Sequence, residues 1–179
     1  MNRSRTAVMV EGALCVALAI VLSKFDLFKM PNGGSIDLGL APLLVFAWRR
    51  GLRWGCGAGA LTGVVKVLFG GHIFHPAQAV LDYPLAYACA GLAAIFPHKR
   101  APGRIAGILT ACIGQTFCHI LSGAIFFAQY APEGQSPWVY STIYNVALMT
   151  PKYIVSGIAA WVLIQALDRV LPAQPDAGR

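Results

Sequence analysis

Long apolar stretches, separated by clusters of glycine and proline, dominate this sequence and restrict what it can fold into. Hydrophobic residues make up 57% of the chain and charged residues 12%, whereas an average soluble domain carries about 25% charged residues. A bilayer-spanning helix needs about 20 apolar residues, so a chain of this length has room for about six. We therefore predict a membrane bundle and exclude a disordered or nucleic-acid-binding protein.

Hydropathy and helix-breaking residues together predict the positions of the spans. The predicted spans are residues 6–27, 38–49, 52–70, 77–96, 104–128 and 141–170. The second is short and shares an arginine-rich turn with the third. We assign residues 1–171 to one all-α domain of six transmembrane helices and residues 172–179 to a flexible cytoplasmic tail.

The basic residues predict the orientation of the bundle, because Lys and Arg near span ends stay on the cytoplasmic side. In a six-span arrangement most of them fall on one side, together with both termini. These residues are Arg3, Arg5, Arg49, Arg50, Arg53, Lys99, Arg100, Arg104, Arg169 and Arg179. Both termini are therefore predicted to be cytoplasmic.

Three polar residues within predicted spans indicate a binding pocket. A charged residue at the centre of a span costs about 2.5 to 3.5 kcal/mol, so such residues usually face the bundle interior and serve a function. Asp82, His119 and Asn145 belong to three different spans and lie at similar depth in the outer half. Their convergence predicts a pocket that opens to the outside.

Helical spacing adds further residues to this pocket. One stripe of the fifth span recurs at every fourth position and consists of Gln115, His119, Gly123 and Phe127. We interpret Gly123 as a gap through which a flat ligand approaches the backbone between two rings. Gln78 precedes Asp82 by one turn on the fourth span, and an aromatic lid is predicted from Tyr130, Trp138 and Tyr140.

Simpler interpretations of the same residues stay open. His119 could be an interhelical hydrogen-bonding residue, and the outer aromatic residues could form an interfacial belt. We expect Lys66 to snorkel to the membrane surface and Glu11 to be solvated. Lys152 lies deep enough to need an internal partner, which the sequence does not identify.

This sequence lacks three common motifs of nucleotide-binding proteins and hydrolases. It contains no G-x-x-x-x-G-K-[ST] loop, no H-E-x-x-H and no G-x-S-x-G motif. His72 and His75 could bind a metal together with Asp82, which keeps a metal-dependent membrane enzyme as an alternative. We predict neither a bound metal nor a cofactor, and no enzymatic activity.

Three blocks of the sequence resemble a known family. They are KMPNGGSIDLGLAPLLVFAWRRGLRWG, HPAQAVLDYPLAYACAGLAAIF and CHILSGAIFFAQYAPEGQSPWVYSTIYN. Together they are similar to the thiamine-specific substrate-capture subunit, or S-component, of energy-coupling factor (ECF) vitamin transporters. The resemblance runs from about Glu11 to Pro151.

The resemblance implies a six-helix bundle of the bacterial cell membrane that binds thiamine from outside. A separate transmembrane coupling subunit and two cytoplasmic ATPases would supply the energy for uptake. Ala13 and Ala17 resemble the surface through which such subunits dock onto the coupling protein. An S-component for a thiamine precursor or analogue remains the main alternative within transport.

The resemblance also implies roles for residues at matching positions. Asp82 would hydrogen-bond the aminopyrimidine, with Tyr83 beside it, and His119 and Phe127 would flank the thiazolium ring. Further pocket positions are Gly123, Tyr140, Asn145 and Gln115, and residues 30–37 correspond to a gating loop over the site. His119 should be neutral when thiamine is bound, because an imidazolium would place like charges together.

Overall fold

The computed structural model describes residues 5–31 and 34–170 of the chain. The predicted tail at 172–179 and two residues of the predicted gating loop, Asn32 and Gly33, lie outside this part. The all-α membrane bundle is confirmed. Its helices are α1 (Arg5–Leu22), α2 (Leu40–Arg50), α3 (Leu52–Leu68), α4 (Pro76–Ile95), α5 (Ala101–Phe126) and α6 (Pro137–Val170).

The short second helix forms the centre of the bundle. Every residue of α2 from Leu40 to Trp48 is buried, and the helix packs against α1, α3, α4 and α6. Its 11 residues extend over about 16 Å, about half of the hydrocarbon thickness of a bilayer. By length and composition α1, α4, α5 and α6 could each cross a membrane.

A small hairpin replaces the predicted end of the first span. The helix α1 ends at Leu22 rather than residue 27, and the chain then forms two antiparallel strands, β1 (Phe28–Lys29) and β2 (Ser35–Ile36). Proline and glycine between the strands favour a turn over continued helix. A hydrogen bond from Ser35 and the ion pair with Lys29 lower the pKa of Asp26 at the base of the hairpin.

Glycines allow α3 and α4 to approach closely. A Cβ atom on Gly59 would lie 2.1 Å from the carbonyl oxygen of Tyr87, and one on Gly63 would lie 2.3 Å from the carbonyl carbon of Tyr83. Gly55 faces the backbone of Gly91 in the same way. Small residues at every fourth position let helices in a membrane pack at short range.

The fourth helix changes its winding where the polar residues lie. Residues Leu81–Leu85 form a π-helical turn inside α4, and this turn contains Asp82, Tyr83 and Pro84. Proline lacks an amide hydrogen and obstructs the preceding turn, so the wider winding accommodates it. Such π-helical turns are frequent at functional sites because they redirect side chains.

Glu11 joins α1 to α2, contrary to the expectation that it is merely solvated. Its two carboxylate oxygens accept hydrogen bonds from Arg49 Nε at 2.9 Å and from Arg50 Nε at 2.8 Å. These two arginines end α2, so the acid meets them as soon as α1 and α2 pack. This ion-pair cluster lies at the end of α2 opposite to the hairpin.

Candidate ligand-binding site

A cavity of about 660 Å³ opens at the hairpin end of the bundle. Its volume lies within the range of about 300 to 1,000 Å³ that is usual for small-molecule sites. All the predicted binding residues line it, namely Asp82, Tyr83, Gln115, His119, Gly123, Phe127, Tyr140 and Asn145. They come from α4, α5, α6 and the segment directly after α5.

Asp82 is bonded to three side chains of the cavity. Its Oδ2 accepts hydrogen bonds from Gln78 Nε2 at 2.7 Å and from Ser122 Oγ at 2.8 Å. Its Oδ1 lies 2.9 Å from Nδ1 of His119. The predicted pairing of Gln78 with Asp82 on one helix face is therefore present, whereas the contact with Ser122 across two helices was not predicted.

The ring of His119 is held from both sides. Opposite Asp82, its Nε2 lies 3.4 Å from Nε2 of Gln115. The side-chain oxygen of Gln115 accepts a 2.7 Å hydrogen bond from the hydroxyl of Tyr153 on α6. Gln115 and Tyr153 are both almost completely buried, with exposures of 1% and 2%. Tyr153 was not among the predicted residues, because it lies on an apolar stretch of α6.

Asn145 and Ser141 connect α6 to α5 at the level of His119. The Asn145 side-chain amide donates to the backbone oxygens of Ser141 at 2.9 Å and of His119 at 3.3 Å. Ser141 Oγ donates to the Ile120 carbonyl oxygen at 2.8 Å. A Cβ atom on Gly123 would lie 2.3 Å from this same Oγ. The absent side chain of Gly123 thus lets α6 pack closely against α5, in addition to lining the cavity.

Aromatic rings border the mouth of the cavity. Phe127 packs against Phe74, with ring centroids 6.0 Å apart, and against Tyr130 at 6.2 Å. Tyr140 lies 5.8 Å from Tyr144, which also lines the cavity. The predicted lid residue Trp138 is 52% exposed and lies outside this lining.

A buried ion pair forms the opposite wall of the cavity. Lys152 Nζ lies 2.8 Å from Asp37 Oδ2 and donates a second hydrogen bond to the Ser35 carbonyl oxygen at 3.1 Å. The Asp37 carboxylate also accepts a hydrogen bond from the Gly39 amide at 2.8 Å, at the start of α2. Asp37 is the internal partner that the depth of Lys152 required, and it ties the hairpin to α6.

Lys66 belongs to the cavity, which its expected snorkelling to the membrane surface did not indicate. It lines the cavity, and its ammonium lies 5.2 Å from the centre of the Tyr87 ring. An ammonium over an aromatic face is attracted by the ring quadrupole, which holds Lys66 against α4.

The two histidines of the alternative metal site have other contacts. The amide of His72 donates to the Tyr83 hydroxyl at 2.7 Å. His75 Nδ1 accepts from the Ala77 amide, and its ring stacks on Phe126 with centroids 5.1 Å apart. Across residues 5–31 and 34–170, no three His, Cys, Asp or Glu side chains form a group that could hold a metal ion.

The two carboxylates that line the cavity, those of Asp37 and Asp82, have different partners. Lys152 neutralises Asp37 directly, whereas Asp82 receives its hydrogen bonds from an amide, a hydroxyl and a histidine. A carboxylate at the wall of a largely apolar cavity attracts a cation, and the surrounding rings suit a flat, positively charged molecule. The arrangement is therefore that of a site for an organic cation.

Comparison with known proteins gives concordant sequence matches. A family model described as "Thiamine transporter protein (Thia_YuaJ)" matches residues 9–172. The thiamine transporter ThiT of Bacillus subtilis is 32% identical over 188 residues, covering 96% of this chain and 97% of that protein. The thiamine transporter ThiT of Lacticaseibacillus paracasei is 27% identical over 189 residues, covering 97% and 94%.

Solved structures give a similar result. ThiT from Listeria monocytogenes superposes with a TM-score of 0.82 at 27% identity, covering 94% of this chain and 98% of that one. A structure titled as the S component of a bacterial ECF transporter has a TM-score of 0.58 at 19% identity, covering 94% and 96%. The second likeness concerns the fold alone.

Proposed function

Because this chain belongs to the thiamine transporter protein family, we propose that its cavity captures thiamine from outside the cell. The chain is a multi-pass protein of the bacterial cell membrane, and its family is one of transporters rather than enzymes. In this proposal it is the S-component of an ECF importer, which binds the vitamin while separate subunits hydrolyse ATP.

The observation that carries the proposal is the Asp82 carboxylate, which lines an aromatic cavity and is bonded to Gln78, Ser122 and His119 but, within the described residues, to no lysine or arginine. Thiamine is a flat cation with a hydrogen-bonding pyrimidine, so it needs a carboxylate acceptor and ring surfaces. The carboxylate supplies a charge-assisted hydrogen bond. Each aromatic face adds about 0.5 to 2 kcal/mol of attraction for the cation.

The individual roles are those that the sequence resemblance implies, and the positions of the side chains around the cavity support them. Asp82 accepts from the aminopyrimidine, and Tyr83 lies beside it on the same π-helical turn. His119 and Phe127 provide ring faces for the thiazolium. Asn145 holds α5 and α6 at the distance that the ligand requires. Tyr140, Gly123 and Gln115 complete the lining of the cavity.

Equilibrium binding to the purified single chain tests this function. We expect saturable, one-to-one binding of thiamine by titration calorimetry, with an affinity higher than for its pyrimidine half alone, because the cationic ring contributes to binding. Equal affinity for the two molecules would instead favour a precursor transporter. Purified protein without measurable thiamine binding would contradict the proposal.

Docking of the coupling subunit is assigned to the exposed face of α1. Ala13 and Ala17 are exposed, one helical turn apart, and are flanked by exposed Leu14 and Leu18. Small residues leave room for the close approach of a partner helix in the membrane. Two cytoplasmic ATPases would then act through this partner, since the chain itself carries no phosphate-binding loop.

Bulky substitutions separate capture from transport. Ala13→Leu with Ala17→Leu should leave thiamine affinity unchanged and abolish thiamine uptake in cells that contain the other subunits. Ala147→Leu is the matched control, because Ala147 is an exposed alanine of α6. Normal uptake by the double α1 variant would contradict this docking surface.

A further inference from the structure

A chain of hydrogen bonds runs from α6 through α5 to Asp82. It begins at the Tyr153 hydroxyl, which lies 2.7 Å from Gln115 Oε1. It continues from Gln115 Nε2 to His119 Nε2 at 3.4 Å and from His119 Nδ1 to Asp82 Oδ1 at 2.9 Å. Each link constrains which atom of the next group can carry a proton.

The orientation of the Gln115 amide follows from its contact with Tyr153. The Tyr153 hydroxyl donates to Gln115 Oε1, and the separation of 2.7 Å matches the most frequent distance for an O–H donor, about 2.7 to 2.8 Å, whereas N–H donors most often lie at about 2.9 to 3.0 Å. The amide oxygen therefore faces Tyr153, and the NH₂ group faces His119. Because an amide NH₂ group is a donor only, His119 Nε2 has to be the acceptor.

The other ring nitrogen is constrained by Asp82. An ionised carboxylate only accepts hydrogen bonds, so the Nδ1 atom facing it carries the proton. An imidazolium would instead carry a proton on Nε2. That proton would point at the Gln115 NH₂ group, which is also a donor, so no hydrogen bond could form between them. The chain of bonds thus disfavours the charged ring, even though a carboxylate beside a histidine would otherwise favour it.

We infer that Gln115 and Tyr153 are positioning residues that hold His119 as the neutral Nδ1–H tautomer and so leave the Asp82 charge uncompensated for a cationic ligand. This inference rests on the proposed function and deepens it. Gln115 then acts through His119 instead of contacting the ligand, which agrees with its 1% exposure. A charged His119 would both neutralise Asp82 and repel a cation stacked on the ring.

Other ionisable groups face the same cavity from every wall and could influence His119. They are Asp37 before α2, Lys66 on α3, His72 before α4, Tyr83 and Tyr87 on α4, Tyr130 after α5, and Tyr140, Tyr144 and Lys152 on α6. Asp37 and Lys152 neutralise one another. The direct contacts of the His119 ring nitrogens are with Asp82 and Gln115.

The test is nitrogen-15 NMR of histidine-labelled full chain without ligand, with His119 assigned by the loss of its signals in His119→Gln. We expect a protonated Nδ1 and an unprotonated Nε2. In Tyr153→Phe the Gln115 amide can turn its oxygen towards His119, so Nε2 should gain a proton. Thr110→Val is the control, because it removes a half-buried hydroxyl of α5 that donates within that helix, to the Ala106 carbonyl oxygen.

Thiamine affinity gives a second readout. It should be unchanged in Thr110→Val and about tenfold weaker in Tyr153→Phe, because His119 is no longer held in the tautomer that suits a cationic ligand.

An imidazolium or an Nε2–H tautomer in the wild type would overturn the inference, whether or not thiamine binds. The same Nδ1–H tautomer in a folded Tyr153→Phe as in the wild type would also contradict it. A wild type with the expected tautomer that binds no thiamine would support the positioning role and contradict the proposed function instead.

Discussion

Two aspartates lie on opposite walls of the same cavity and differ in their partners. Asp37 is paired with the Lys152 ammonium at 2.8 Å, and its side chain is 1% exposed. Asp82 is bonded to Gln78, Ser122 and His119, and its side chain is 17% exposed. The first carboxylate is paired with an ammonium group, whereas the second is bonded to an amide, a hydroxyl and an imidazole at the wall of the cavity.

The difference separates a structural role from a binding role. A buried ion pair contributes little net stability, but removing one partner strands the other charge. The pair therefore fastens the hairpin and the start of α2 to α6. Asp82 is oriented by Gln78, Ser122 and His119, and in the proposed function it stays available to a cationic ligand. The two aspartates therefore differ in the chemical type of their partners as well as in burial.

The largest expected effect comes from breaking the ion pair. Lys152→Met leaves the Asp37 carboxylate buried without a cation, and the free energy of unfolding should fall by about 3 to 5 kcal/mol. Thermal unfolding in detergent measures this loss. The double variant Asp37→Asn with Lys152→Met should recover most of it, because no charge remains unpaired. Equal unfolding temperatures for wild type and Lys152→Met would show that the pair is not a structural clamp.

Asp82→Asn should show the opposite profile. The shape of the side chain is retained but the charge is lost, so thiamine binding should weaken at least about tenfold, or about 1.4 kcal/mol. The thermal stability should change much less than in Lys152→Met, because no cation is stranded. Calorimetric titration and thermal unfolding of the same preparation measure both quantities. Unchanged affinity would remove Asp82 from the site.

The smallest effects on stability are expected from replacing the two serines that donate hydrogen bonds to these aspartates. Ser122 donates to the Asp82 carboxylate at 2.8 Å, and Ser156 donates to the Asp37 carbonyl oxygen at 3.0 Å. Each Ser→Ala change removes a buried hydrogen bond worth about 0.5 to 1.5 kcal/mol.

The two serine variants should nevertheless differ in binding. Ser122→Ala should weaken thiamine binding several-fold, because Asp82 loses a donor that orients it. Ser156→Ala should lower stability alone, because Ser156 lies outside the cavity lining. An equal loss of thiamine affinity in both variants would contradict the assignment of a binding role to Asp82 and a structural role to Asp37.

Much of the site could be predicted from the sequence. A bilayer penalises polar groups, so Asp82, His119 and Asn145 stand out in their apolar surroundings and are expected to face inwards. Helical periodicity then adds Gln115, and all four residues line the cavity. Their roles in binding thiamine remain predictions.

The glycine repeat of α3 is a further signal in the sequence. Gly55, Gly59 and Gly63 recur at every fourth position of α3, a spacing typical of close helix contacts in membranes. This pattern indicates the side of α3 that packs on the backbone of α4. It could therefore have predicted which helix lies beside the turn that contains Asp82.

The sequence alone determined the number of helices, their approximate positions and which polar residues had to be sheltered, because each follows from the local cost of placing a residue in lipid. Only the tertiary structure decided the partners. Lys152 meets Asp37 across 115 positions of sequence, and Tyr153 meets Gln115 across 38. Such contacts depend on how each helix is rotated and shifted against its neighbours, and that rotation is set by the packing of the whole bundle.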